Sequence, residues 1–153
     1  MEEGQAYQLL RECLWVTLST VNCRTESPLG LGSPYAVPIS VVESRGCFYF
    51  HCATEGHKVD NLKSDGRVCI TCVGQAVSDE AALSVVYESA TFFAEATEVL
   101  DKLEKKRALA ALCQRFAPSN MVGIANQIDT LLDSTAVWKL TMLGCSGKQR
   151  KFE

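Results

Sequence analysis

The period of the apolar positions changes several times along the chain, and each change predicts an element. Residues 2 to 13 place Ala6, Leu9, Leu10 and Cys13 at helical spacing. LWVTLSTV (14 to 21) then sets Leu14, Val16 and Leu18 against Trp15, Thr17 and Ser19 in the period of a strand. NCRTESPLGLGSP (22 to 34) is rich in Gly, Pro and Ser and reads as a loop. YAVPISVVE (35 to 43) and CFYFHCA (47 to 53) flank the turn signal SRG and predict a hairpin. Pro38 cannot donate to a ladder, which places it at an edge, at a bulge, or where a ligand replaces the pairing. From Glu55 to Ser64 the period turns helical, with Val59 and Leu62 on one face, and SDG stops the run before the strand RVCITCV (67 to 73).

The second half repeats this alternation on a longer scale. Residues 83 to 100 form a long β-rich run with apolar residues on both faces, from Val85 and Tyr87 to Phe92 and Phe93. Asp101 with Glu104 makes a capping box, and Leu103, Leu109, Leu112, Cys113 and Phe116 stripe the helix that follows. Residues 121 to 133 predict a short helix, 135 to 143 a strand, and GCSGKQRKFE (144 to 153) a polar, basic C-terminal tail in which Lys148, Arg150 and Lys151 are solvated. The order predicts a mainly β fold of about six antiparallel strands, with a short helix between strands 3 and 4. Direct connections disfavour parallel pairs, and closure into a barrel with helices outside removes the edges.

Composition narrows the class. The chain has 153 residues, enough for one domain (1–153), and a net charge of −3, which argues against general nucleic-acid binding. No apolar run reaches the roughly 18 to 20 residues that cross a bilayer, and the acidic start MEEGQAYQLL is unlike a secretory signal, so the expected compartment is the cytoplasm. The eight cysteines are therefore expected as thiols. CITC (69 to 72) has a metal half-site spacing, but residues three apart on a strand face opposite ways, and no metal site is expected.

Candidate chemistry concentrates in YFHCATEGHKVDNLK (49 to 63). The first turn of a helix leaves amides unpaired, so Gly56, His57 and Lys58 there can cradle a phosphate. Gly56 permits close approach. His51 and Cys52 project to opposite faces, so at most one looks into a given cavity. The plainer alternative is a strand-to-helix turn with solvated His57 and Lys58 and a core His51. Trp138 reads as a packing aromatic, Tyr87 as a core residue with its hydroxyl at the rim, and GLGSP lacks the strand-to-helix context of a dinucleotide fingerprint.

SPYAVPISVV, GCFYFHCATEGHKVDNLKSDGRVCITCV, YESATFFAEATEVL and AVWKLTMLGCSGK together resemble the nitroimidazole-resistance (Nim) branch of the pyridoxamine 5′-phosphate oxidase-like flavoproteins, over residues 10 to 148. The resemblance implies an FMN-binding split β-barrel that forms a homodimer, with FMN in a groove between subunits and its phosphate at His57 and Lys58. It implies flavin contacts from His51, Cys52, Gly56, His57, Lys58 and Asn61, from backbone around Val37, Pro38 and Ile39, and from the hydroxyls of Tyr87 and Ser89. The histidine matching His51 is the candidate catalytic residue. His57 stands where arginine is usual, and the C-terminus lacks the arginine-rich signature of true pyridoxamine-phosphate oxidases. The expected activity is FMN-dependent reduction of a small planar acceptor such as a nitro-aromatic. A non-catalytic flavin- or haem-binding protein is the alternative.

Overall fold

The computed structural model describes residues 1–151. Seven strands and four α-helices follow in the order α1 (Glu3–Glu12), β1 (Val16–Val21), β2 (Pro34–Ile39), β3 (Val42–Ser44), β4 (Cys47–Ala53), α2 (His57–Ser64), β5 (Arg67–Asp79), β6 (Ser84–Glu98), α3 (Lys102–Phe116), α4 (Ile124–Leu131) and β7 (Thr135–Arg150). The expected second strand is two, because the run from Pro34 to Ser44 breaks at Ser40 and Val41 and its second piece leaves β1 to pair with β4. Arg45 and Gly46, both at positive φ, close the β3–β4 hairpin, a turn whose twist matches that of its strands.

All strands lie in one antiparallel sheet of order β2-β1-β5-β6-β7-β4-β3. The two edges do not pair, yet Val16, Leu18 and Ile39 share one apolar cluster with Phe48, Phe50, Phe92 and Trp138. The sheet therefore curls around a common interior as a barrel left split between β2 and β3. Helix α1 joins that interior through Ala6, Leu9 and Leu10, and Tyr7 meets the Phe92 ring edge-on at 5.0 Å. A second cluster lies on the other face of β3, β4 and β7, where Val42, Tyr49 and Val137 pack against Leu109 and Leu112 of α3 and Ile128 of α4.

Two further expectations are corrected. The C-terminal tail is a strand, since β7 pairs with β6 from Glu98↔Trp138 to Tyr87↔Arg150; residues 152 and 153 lie outside the described residues. Long β6 supplies a template that GCSGKQR accepts despite its weak strand propensity. Leu14 and Leu103, expected in the core, are 73% exposed because each precedes the buried part of its element. The α3 cap is as expected, with the Asp101 side chain accepting from Glu104 N at 2.7 Å. Cys72 is buried while Cys69 points to the other face, and all eight cysteines are free thiols.

Candidate functional site

Strand β4 ends at Ala53, and the chain turns through Thr54, Glu55 and Gly56 into α2. Gly56 is the N-cap at φ 127, a backbone conformation that side-chain-bearing residues rarely adopt, and no side chain caps the turn. A Cβ built on Gly56 meets nothing within 4 Å. No side chain and no backbone carbonyl accepts from the first-turn amides of α2 among the described residues, and Lys58 belongs to the same turn, with its ammonium 5.7 Å from the Phe50 ring centroid. Backbone donors, a positive helix end and a cation make a donor set suited to a phosphoryl group.

The two other α2 candidates are engaged with the protein. His57 Nε2 lies 2.6 Å from Asn22 Oδ1, and its ring packs on Tyr35 at a centroid distance of 4.1 Å. Asn61 is fully buried; its Nδ2 donates to Thr20 Oγ1 at 2.9 Å and its Oδ1 accepts from Cys23 N at 3.0 Å. Arg24 adds an ion pair to Asp60. These contacts tie the loop after β1 to α2. Asn22, Thr20, Tyr35, Arg24 and Asp60 were not singled out by sequence. Alternation held the signal, since the buried parity of β1, Val16 and Leu18, continues into the polar Thr20 and Asn22, both buried.

His51 and Cys52 face opposite ways, as the strand period requires. Cys52 turns towards the barrel interior. Burial pushes its thiol up, while the Lys58 charge pulls it back. Trp138 is buried as a packing aromatic, and its Nε1 makes no hydrogen bond. His51 is exposed on one side and on the other lines a cavity of about 180 Å³ with Leu109, Leu112, Cys113, Ile124, Ile128 and Leu131. Desolvation there lowers its proton affinity below the ordinary imidazole range, and the Lys58 charge acts in the same direction. The ring is neutral near neutral pH.

On β2, Val37 packs inward, Ile39 is buried and Pro38 faces out. Pro38 lines a groove of about 430 Å³ with Trp15, Thr17, Thr71 and Val73 on the outer face of the sheet. Cross-strand pairing puts Ser89 and Thr91 on that same face through Val73↔Ser89 and Thr71↔Thr91, and Tyr87 follows by alternation. Neither Tyr87 nor Ser89 reaches the α2 turn along its own sheet. Ser89 pairs with Lys148 and His51 with Val137, an offset of eleven residues on β7, roughly 36 Å of extended strand. One chain therefore gathers His51, Cys52, Gly56, His57, Lys58 and Asn61 around one corner and leaves Tyr87 and Ser89 apart.

A family model described as pyridoxamine 5′-phosphate oxidase matches residues 2–149. No curated protein matches the sequence. Among solved structures, a Bacteroides thetaiotaomicron protein provisionally assigned to 5-nitroimidazole antibiotic resistance is similar with a TM-score of 0.76 at 19% identity, over 95% of this chain and 82% of that one. An FAD- and heme-binding protein from Mycobacterium smegmatis gives a TM-score of 0.76 at 20% identity, over 99% and 72%. A FAD-binding protein from Mesorhizobium loti gives 0.68 at 16%, over 99% and 96%. At such identities the likeness is one of fold.

Proposed function

Because the chain belongs to the pyridoxamine 5′-phosphate oxidase family, we propose that it is a flavin-dependent reductase that holds FMN at the α2 turn and passes electrons to a small planar acceptor such as a nitroimidazole. One observation carries this reading: the first turn of α2 is uncapped, opened by a glycine at φ 127 and flanked by Lys58. The Gly56, His57 and Lys58 segment would hold the phosphate, with Asn61 bracing the helix from within. Backbone of Val37, Pro38 and Ile39 on the free edge of β2 would border the ring. Bound flavin supplies the electron transfer, and the protein supplies orientation and exclusion of water.

The neutral state of His51 fits a proton carrier better than a fixed charge, because lowered basicity makes its protonated form release the proton more readily. Cys52, on the inner face of β4, would pack beneath the site. Tyr87 and Ser89 would come from a second copy of the chain in a homodimer. In support, the outer sheet face exposes Trp15 at 73%, Val73 at 55%, Phe93 at 53% and Leu143 at 68%, more apolar surface than a solvated sheet ordinarily shows. Titration of the purified protein with FMN tests the binding step. Anaerobic reduction by NADH or NADPH, then reoxidation by a nitro-aromatic, tests turnover. A protein that leaves the FMN spectrum unchanged sinks the proposal, and one that binds FMN but is not reoxidised by the acceptor is a flavin carrier.

A haem-binding reading has one observation in its favour. His51 makes no protein hydrogen bond among the described residues, whereas His57 is engaged by Asn22, so His51 is the imidazole free to ligate iron. A Soret band that disappears in His51→Ala would support it.

A further inference from the structure

Aromatic groups aside, the buried polar residues of the described chain are Thr20, Asn22 and Asn61, and all three meet where β1, the 22–33 loop and α2 join. Asn22 is the most heavily bonded of them. Its Nδ2 donates to Arg24 O at 2.8 Å and Gly30 O at 2.7 Å, and its Oδ1 accepts from Arg24 N at 3.1 Å. These partners admit one orientation of the amide, because the flipped form would set oxygen against two carbonyls and nitrogen against a donor. The atom that meets His57 Nε2 at 2.6 Å is therefore the oxygen. An amide oxygen only accepts, so Nε2 must carry hydrogen in every state of the ring that keeps this contact. Tyr35 holds the ring from one face, with 39° between the planes.

We propose that Asn22 is a positioning residue that locks His57 as the Nε2–H tautomer, so that Nδ1 is the atom at which this ring gains or loses a proton and through which it senses an anion at the α2 turn. The second half of this inference rests on the placing of a phosphate there. The charged and titratable groups next to the ring in sequence or through its contacts are Arg24 and Cys23 of the loop, Glu55 of the turn, Lys58 and Asp60 of α2, and Tyr35 of β2. Arg24 and Asp60 neutralise each other in an ion pair, which leaves Lys58 as the unpaired charge nearest in sequence. A histidine at this position thus differs from a free surface imidazole. Its donor to the protein is fixed, and its second nitrogen is reserved for the site.

Nitrogen NMR of protein labelled at its two histidines tests the lock without any ligand, with His51→Gln assigning the signals. His57 in its neutral form should show Nε2 protonated, Nδ1 bare, and an Nε2 proton that exchanges slowly with solvent. Asn22→Ala should release that proton to fast exchange. Should Asn22→Ala fail to fold, the tautomer of His57 in the native spectrum decides the matter. A neutral His57 protonated at Nδ1, or one averaging freely between tautomers, overturns the lock. FMN added to the native protein should then move the Nδ1 resonance more than Nε2. An equal response of both nitrogens overturns the anion-sensing half. Absence of FMN binding refutes the phosphate site and with it that half, while the tautomer result stands by itself.

Discussion

The barrel interior and the loop–α2 junction sit at opposite extremes of chemistry within one small fold. The interior is held by shape: Leu10, Leu18, Phe50, Ile70 and Phe92 are essentially buried, and each owes its place to volume. The junction is held by direction, with Asn22 and Asn61 bonding to named atoms of Thr20, Cys23, Arg24, Gly30 and His57. Apolar contacts tolerate repacking because they are non-directional, whereas a buried amide tolerates little, since every lost partner leaves an unsatisfied group behind. The comparison teaches that stability and site geometry are separable here. The barrel sets whether the chain folds, and the junction sets where the first turn of α2 points.

Substitutions can break that separation in a graded way. Phe92→Ala should have the largest effect, about 3 to 5 kcal/mol of unfolding free energy in a denaturant melt, through lost burial and the cavity left beside Tyr7. Asn61→Ala should cost about 2 to 3 kcal/mol by stranding the Cys23 amide and the Thr20 hydroxyl, and unlike Phe92→Ala it should loosen the 22–33 loop in hydrogen exchange while the β-strands stay protected. Tyr49→Phe removes the hydroxyl that donates to Glu104 at 2.8 Å and should cost about 1 to 2 kcal/mol without touching the junction. The Tyr49 phenol itself is pushed up to about 12 by burial, so no tyrosinate absorbance should arise from it until strongly alkaline pH.

Two smaller effects sharpen the contrast. His51 binds a proton less readily folded than unfolded, so its contribution to stability is complete above the ordinary imidazole value of 6.5 and is lost as pH falls through that value towards the folded one. Thermal melts between pH 7 and 5 should show the decline, and His51→Gln should lessen it. Asp60→Asn should scarcely move the melting temperature, because the Arg24–Asp60 pair is solvent-exposed, but should speed proteolytic nicking of the loop.

The split in legibility follows the same division. Elements governed by periodicity and local chemistry were readable: α1, the Arg45–Gly46 turn, the Gly56 start of α2 and the Asp101 cap each carry their cause within a few residues. What was hidden depended on distant partners. Strand β7 runs to Arg150 because β6 is long enough to receive it, and nothing within GCSGKQR announces this. His57 and Asn61 were expected at the site from their motif, but their bonds to Asn22, Cys23 and Thr20, which span 35 to 41 positions in sequence, were not legible. Tyr87 and Ser89 were expected at the same site as the α2 turn, and within one chain the sheet holds them far from it.

The edge strand β2 carries one more consequence. Pro34 and Pro38 stand four residues apart, so their nitrogens lie on the same side of the strand, and β2 pairs with β1 without interruption across both. The missing hydrogens therefore face away from β1, along the open seam of the barrel. A foreign strand trying to add there finds two gaps in its row of donors, which blunts this rim against fibril-like growth.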